Sequence, residues 1–280
     1  MTGIDRSGDA DPNLRHPAYG RLRTVTPIAS VLLAPNPSPM TLDGTNTWVL
    51  RAPGERKCLI VDPGPDDPEH LARIVAAGPV ATILLTHGHP DHADGARALH
   101  ELTGAPVRAL DPQHRYGADG LAPGEVVAGA GVEVWVLGTP GHTGDSLCFL
   151  IPAHAGAAPV AILTGDTVLG RGTTVVAHPD GRLGDYLDSL RRLRQLAADL
   201  SDRVTVLPGH GPELPDLAET TDRYLLHRAA RLDQVRAALT QAGPAATVAD
   251  VVALVYADVD RALWPAAELS VRAQLEYLRG

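Results

Sequence analysis

Histidine and aspartate cluster at one point of the sequence in a spacing that suits metal binding. Residues 86–92 read THGHPDH and follow an apolar run over 81–85. In an extended chain, residues two apart face the same way, so His87 and His89 can bind one cation. Asp91 and His92 come where the backbone turns towards the next helix, and they can face a second cation. Imidazole and carboxylate together suit zinc, with iron or manganese as alternatives.

Three later segments each add one ligand-type residue just past an apolar run. These residues are His142, Asp166 and His210, and each lies beside a glycine, where the backbone can turn tightly. An isolated histidine-rich segment could be a polar surface loop or a site for one metal. The complete set is large enough to surround two metal ions: His87, His89, Asp91, His92, His142, Asp166 and His210.

Short β-type runs alternate with helical patterns and must position these ligands. Strands are predicted over 47–50, 58–62, 81–86, 132–137, 146–151, 160–165 and 203–208. Helices are predicted over 68–77, 94–102 and 185–200. Mixed strands with intervening helices imply an α/β layered fold.

The pattern divides the chain into three parts. Residues 1–22 are polar and lack periodicity, which predicts a mobile N-terminal tail. Residues 23–215 would form the catalytic domain. Residues 216–280 would form a small all-helical domain with helices over 217–240, 248–256 and 265–279. Thr247 and Asp250 predict a capping box at the start of the second of these helices.

Composition narrows the functional classes. The formal net charge is −9, from 24 basic and 33 acidic residues, and an acidic chain repels phosphate backbones. The two cysteines, Cys58 and Cys148, lie in apolar runs and are too few for a disulfide framework or a cysteine-rich metal cluster. There is no signal-peptide pattern and no apolar run near the ~20 residues of a membrane span. We therefore expect a soluble, cytoplasmic protein without a membrane partner.

The HGHPDH segment, together with the three later ligand residues, resembles the metallo-β-lactamase superfamily in its dinuclear zinc pattern. The resemblance implies an αββα sandwich. It implies that His87, His89 and His142 hold the first metal, that Asp91, His92 and His210 hold the second, and that Asp166 bridges the two. A hydroxide between the metals would be the nucleophile, and Asp91 would be the catalytic proton acceptor or shuttle.

Two further segments narrow the resemblance. Residues 36–48 (NPSPMTLDGTNTW) and 165–174 (GDTVLGRGTT) are similar to the β-lactamase-like protein 2 group, as is the helical C-terminal region. That group includes a single-strand-selective endoribonuclease and fungal thioesterases that release polyketides. Its C-terminal domain looks like a winged helix, whereas the sequence ends at Gly280, where the strands of the wing would follow. We expect this wingless, nearly neutral domain to shape substrate access or a dimer contact rather than to clamp nucleic acid.

Three functions are open at this point. The first is metal-dependent hydrolysis of an ester or thioester of a small-molecule acyl substrate, and the second is cleavage of single-stranded RNA. The third is a non-catalytic scaffold stabilised by metal, although structural zinc sites close their shell with protein ligands. Seven ligands shared by two metals leave room for a hydroxide, which favours catalysis. Arg171, Thr173 and Thr174 follow Asp166 in a glycine-rich loop that could approach an anionic substrate.

Overall fold

The computed structural model describes residues 16–152, 160–200, 202–243 and 245–279. Residues 1–15 of the predicted tail lie outside this part of the chain. Residues 16–22, which the sequence places in the same tail, instead contact the following domain. The hydroxyl of Tyr19 donates to the carbonyl of Asp43 at 2.6 Å, and Tyr19 forms a bridge with Leu33.

The strands of the described residues form two sheets. The first sheet contains, in spatial order, β1 (Arg23–Thr24), β2 (Ala29–Leu33), β3 (Asn46–Leu50), β4 (Cys58–Val61), β5 (Val80–Leu84) and β6 (Val107–Arg108). The second sheet has the order β11 (Thr205–Pro208), β10 (Ala161–Gly165), β9 (Leu147–Ile151), β8 (Val132–Gly138) and β7 (Val126–Gly129).

Six α-helices lie in the described residues. They are α1 (Pro68–Ala76), α2 (Pro90–Thr103), α3 (Leu183–Asp199), α4 (Leu217–Ala242), α5 (Val248–Val255) and α6 (Trp264–Arg279). A short 3-10 helix, Arg261–Leu263, leads into α6. None of the described helices is long and apolar enough to cross a membrane.

The layers follow from strands that are apolar on both faces. Leu59 and Phe149 pack in a core between the two sheets. Ile60, the neighbour of Leu59, points to the other face and packs with Ile74 of α1. A third core joins the outer face of the second sheet to α3 and α4. Burial on both faces explains the continuous apolar runs and confirms the predicted αββα sandwich.

The C-terminal region packs around a small core of its own. Val235 of α4, Val252 of α5 and Val271 of α6 meet there. Thr247 and Asp250 form the predicted capping box at the start of α5. Every regular element described beyond residue 216 is helical, which confirms the predicted helical domain.

Strand direction decides where the ligand loops lie. β4, β5 and β6 are parallel in the first sheet. In the second sheet β10 is parallel to β11, and β9 is antiparallel to both β8 and β10, so that β8, β10 and β11 run the same way. The loops that follow these strands therefore leave from one edge of each sheet. The two edges are joined where Leu147 N–H donates to the carbonyl of Thr86 at 2.8 Å.

Candidate metal centre

The seven predicted ligand residues lie together at this edge. His87 and His89 occupy the loop after β5, and His142, Asp166 and His210 follow β8, β10 and β11. Asp91 and His92 belong to the first turn of α2, which begins at Pro90 instead of the predicted residue 94. Proline is favoured at the first helical position, and this start signal accounts for the earlier beginning.

Three histidines form the first half of the site. The Nδ1 atom of His89 lies 3.1 Å from Nε2 of His87 and 3.0 Å from Nε2 of His142. All three nitrogens fall within 4.8 Å of one another, a spacing at which a single cation can contact them together.

Asp91, His92 and His210 form the second half. The Oδ2 atom of Asp91 lies 3.3 Å from Nε2 of His92 and 3.1 Å from Nε2 of His210. The two histidine nitrogens are 3.2 Å apart. These three ligand atoms also lie within 4.8 Å of one another, so this group can hold a second cation.

Asp166 lies between the two halves. Its Oδ2 is 3.7 Å from Nε2 of His142 and 3.4 Å from Nε2 of His210, and its Oδ1 is 3.4 Å from Nε2 of His92. That buried Oδ1 has no hydrogen-bond partner among the described residues. A buried carboxylate oxygen without a donor is costly, and a bound cation would remove the cost. The donor set therefore fits a metal centre.

Charge and burial oppose each other within the site. Burial lowers the pKa of His87 well below its usual range and that of His142 to about 4, so both rings are neutral and able to bind a metal. Burial works against the charged forms of His92 and His210 as well. The nearby carboxylate of Asp166 outweighs it, raising the pKa of His92 well above its usual range and that of His210 to about 9.

An aspartate that no sequence motif indicated holds one of the candidate ligands. Asp62, which follows β4, is buried, and its Oδ2 lies 2.9 Å from Nδ1 of His92. It also accepts hydrogen bonds from the backbone N–H of Thr86 at 2.8 Å and from the Thr86 hydroxyl at 2.7 Å. A carboxylate behind a histidine fixes the ring and leaves the other nitrogen for a metal. The sequence feature that could have indicated this role is an aspartate at the end of an apolar strand, next to the strand that precedes His87.

Backbone carbonyls hold two other histidines in the same way. Nδ1 of His142 lies 2.7 Å from the carbonyl of Val175, and Nδ1 of His210 lies 3.1 Å from the carbonyl of Gly44. Both rings therefore turn Nε2 towards the cluster.

Glycine at position 209 is required by close packing. A Cβ atom there would lie 2.6 Å from Oδ1 of Asp166 and 2.7 Å from Cε1 of His92. Both distances are shorter than van der Waals contact, so even alanine would push against two ligand residues.

The glycine-rich loop after Asp166 has three roles. Arg171 forms a paired hydrogen bond with Asp43. The hydroxyl of Thr174 donates to the carbonyl of Asp166 at 2.6 Å and so supports a ligand residue. Arg171, Thr173 and Thr174 all line a cavity next to the site. A substrate in this cavity could contact them, as the sequence predicts.

Two cavities with different lining adjoin the cluster. A cavity of about 340 Å³ lies beside His142 and Asp166 and is bordered by residues of α4, α6 and the segment between α5 and α6. A smaller space of about 220 Å³ opens beside His89, and its walls carry Asp111, Asp145 and Asp180. The first wall is mainly apolar, whereas the second is acidic.

Comparison with known proteins agrees with this architecture. Residues 40–210 match the family model of the metallo-beta-lactamase superfamily, and residues 247–279 match that of the beta-lactamase associated winged helix domain. A structure of a beta-lactamase domain protein from Burkholderia ambifaria is 24% identical with a TM-score of 0.74, covering 98% of this chain and 91% of that chain. A metallo-beta-lactamase family protein from Thermus thermophilus, also 24% identical, has a TM-score of 0.72 and covers 90% of this chain and 93% of its own.

Curated relatives extend the likeness to sequence. An atrochrysone carboxyl ACP thioesterase of Aspergillus fumigatus is 32% identical over 232 residues, which cover 80% of this chain and 68% of the relative. A beta-lactamase-like protein 2 homolog of Caenorhabditis elegans is 29% identical, over 88% of this chain and 82% of the relative. With the family model spanning well over half of its length, the chain belongs to the metallo-β-lactamase superfamily, and it resembles the β-lactamase-like protein 2 group within it.

Proposed function

We propose that this protein is a dinuclear zinc-dependent hydrolase that cleaves an ester or thioester of a small-molecule acyl substrate. The observation that carries the proposal is the cavity of about 340 Å³ that opens on His142 and Asp166. A mostly apolar cavity beside a polar reactive centre is the usual form of a small-molecule site. Membership of the superfamily and the relative named as a thioesterase support hydrolase activity.

Nitrogen and oxygen donors in two groups support two zinc ions as the cofactors. His87, His89 and His142 would hold one ion, Asp91, His92 and His210 the other, and Asp166 would contact both. When bound, the ions supply an activated water near neutral pH and polarise the carbonyl under attack.

The proton-transfer role falls to Asp91. Its side chain is 27% exposed, compared with 12% for Asp166 and 1% for Asp62. Asp91 is therefore the carboxylate of this group that substrate and water can reach most easily. The two histidines that contact its Oδ2 fix the direction of the carboxylate.

The acidic opening beside His89 favours an acyl substrate over RNA. Three aspartates line the opening beside His89, where the phosphodiester backbone of an RNA strand would meet repulsion. An uncharged thioester arm meets no such barrier. Because cleavage of single-stranded RNA is the alternative activity, the test includes RNA as a second substrate.

The test compares two substrates on zinc-loaded protein: a generic acyl thioester and a fluorophore–quencher single-stranded RNA. We expect thioester hydrolysis that is lost in Asp166→Asn and kept in the control Asp233→Asn, which changes an exposed residue of α4. RNA cleavage without thioester hydrolysis, lost in the same variant, would replace this proposal by the endoribonuclease. Zinc that raises the melting temperature while neither substrate reacts would favour the scaffold.

A further inference from the structure

One wall of the cavity beside the metal centre differs chemically from the rest. His142 and Asp166 line the cavity on the side of the metal centre, and Met40 and Leu169 are among its apolar residues. The wall contributed by α4 carries basic residues instead. A substrate that fills this space would therefore meet the metal ligands at one end and positive charge elsewhere.

Arg228 and Arg231 of α4 supply this charge, and His227 lies beside them in the same wall. His227 and Arg231 are four residues apart and lie on the same side of the helix. Among the described residues, none of the three pairs with an aspartate or glutamate, and Asp166 is the one acidic side chain of the cavity wall. By contrast, Arg236 on the same helix pairs with Asp233 at 2.8 Å.

Two side-chain nitrogen atoms in this group are buried without a partner among the described residues. They are Nδ1 of His227 and Nε of Arg228. Arg228 is 4% exposed, donates to the carbonyl of Thr174 and lies 4.9 Å from the ring centroid of Tyr186. Burying a cation without an anion is costly. Burial, together with the charges of both arginines, lowers the pKa of His227, so its ring is neutral and can offer one N–H donor.

Arg231 is held in place but keeps donors free. It donates to the carbonyl of Val255 at 2.9 Å, and its guanidinium lies 4.4 Å over the ring of Tyr256. A guanidinium has five N–H donors, so this arrangement fixes its plane while several of them have no acceptor among the described residues. A preorganised cation of this kind can bind a carboxylate at small entropic cost.

We propose that the cavity binds an acyl group whose far end carries a carboxylate, which Arg231 and His227 recognise. The ester or thioester carbonyl lies at the His142 and Asp166 end, and the apolar wall holds the chain between them. Arg228 is a positioning residue, because it holds the carbonyl of Thr174, whose hydroxyl supports Asp166. The inference rests on the proposed hydrolase function and specifies its substrate class.

The test uses thioesters of N-acetylcysteamine with dicarboxylic acids of increasing length, of which suberate is one. Each is paired with an uncharged analogue that has an isopropyl group in place of the far carboxylate; for suberate this is 8-methylnonanoate. For at least one length, we expect kcat/KM to be about tenfold or more higher for the carboxylate, in line with a charge-assisted hydrogen bond. Arg231→Met should remove this preference and Arg231→Lys should restore part of it.

Arg223→Met is the matched control, since Arg223 belongs to α4 but lies outside the cavity wall. It should keep the preference. Calorimetric binding of the free acids to zinc-loaded protein separates the two proposals. One outcome is that no thioester is hydrolysed, but the free diacid binds about tenfold more tightly than its isopropyl analogue, and Arg231→Met removes this difference. That outcome would contradict the proposed hydrolase activity and support the anion site. Equal hydrolysis and equal binding of carboxylate and isopropyl compounds at every length would overturn the anion site alone.

Discussion

The metal centre at the sheet edge and the basic wall formed by α4 meet at the cavity. They differ in the sign of the ion that each would bind. At the sheet edge, buried carboxylates and histidines converge on one cluster, and Oδ1 of Asp166 lacks a donor among the described residues. On α4, the buried Arg228 and the partly buried His227 and Arg231 converge without a carboxylate partner from the described part of the chain. The first region is arranged to receive cations and the second to receive an anion. A substrate with a polarisable carbonyl at one end and a negative group at the other would satisfy both.

The largest effect is expected for Asp166→Asn, which weakens the contact between the two halves of the metal centre. An amide carries no charge to balance two cations, so we expect the loss of one zinc ion per chain. Turnover should fall at least about a thousandfold, which corresponds to ~4 kcal/mol of transition-state stabilisation. Metal analysis and hydrolysis assays measure both changes. Full zinc content with full turnover would contradict the bridging role.

Asp62→Asn should have the next largest effect, because it removes the carboxylate behind His92. Loss of such a partner typically lowers metal affinity about 10- to 100-fold. Competition with a chromogenic chelator would measure this change. Asp67→Asn is the control: Asp67 caps α1, away from the cluster, and asparagine caps equally well. Similar losses of affinity in both variants would show a general effect on stability.

Gly209→Ala tests how tightly the sheet edge is packed around Asp166 and His92. Steric pressure of this kind costs about 1–3 kcal/mol and should lower both the free energy of unfolding and zinc affinity. Gly184→Ala is the comparison, since a Cβ there would meet the ring of Tyr277 only at 3.7 Å, an ordinary van der Waals contact. Denaturant unfolding with and without zinc distinguishes the two variants. Unchanged zinc binding in Gly209→Ala would mean that the loop can move aside.

Thr174→Val should have the smallest effect and tests the link between the two regions. It removes the hydrogen bond to the carbonyl of Asp166 but keeps the shape of the side chain. We expect a loss of about 1 kcal/mol in stability and a turnover several-fold lower. Thr173→Val, in the same loop, should change turnover less. An equal loss of turnover in the two variants would contradict a specific role of the Thr174 hydroxyl in supporting Asp166.

The residues of the candidate metal centre could be found from the sequence because each belongs to a short local pattern. A strand end, a glycine and a histidine or aspartate recur in the segments that hold His142, Asp166 and His210. The contact of Asp62 with His92 could not be predicted from the sequence, because it depends on β4 and β5 being parallel, with Val61 opposite Leu84. The two-residue strands β1 and β6 are too short to show any periodicity.

The basic wall of the cavity was not predictable from the pattern of α4. The apolar positions of that helix predict a buried face through Leu225, Ala229, Leu232, Val235 and Leu239. The structure buries Leu232 and Val235 as predicted, but it buries Tyr224 and Arg228 in place of Leu225 and Ala229. An arginine inside a buried stripe looks like a polar surface residue in a single sequence. Only the docking of α5 and α6 against α4 turns this face into a cavity wall.

The most direct test of the central claim is a zinc titration of metal-free protein, with the rate of thioester hydrolysis followed at each addition. Two groups of ligands joined by Asp166 predict that activity rises until two zinc ions are bound per chain and then stays constant. A plateau at one zinc ion per chain, or no hydrolysis at any zinc content, would contradict the dinuclear hydrolase.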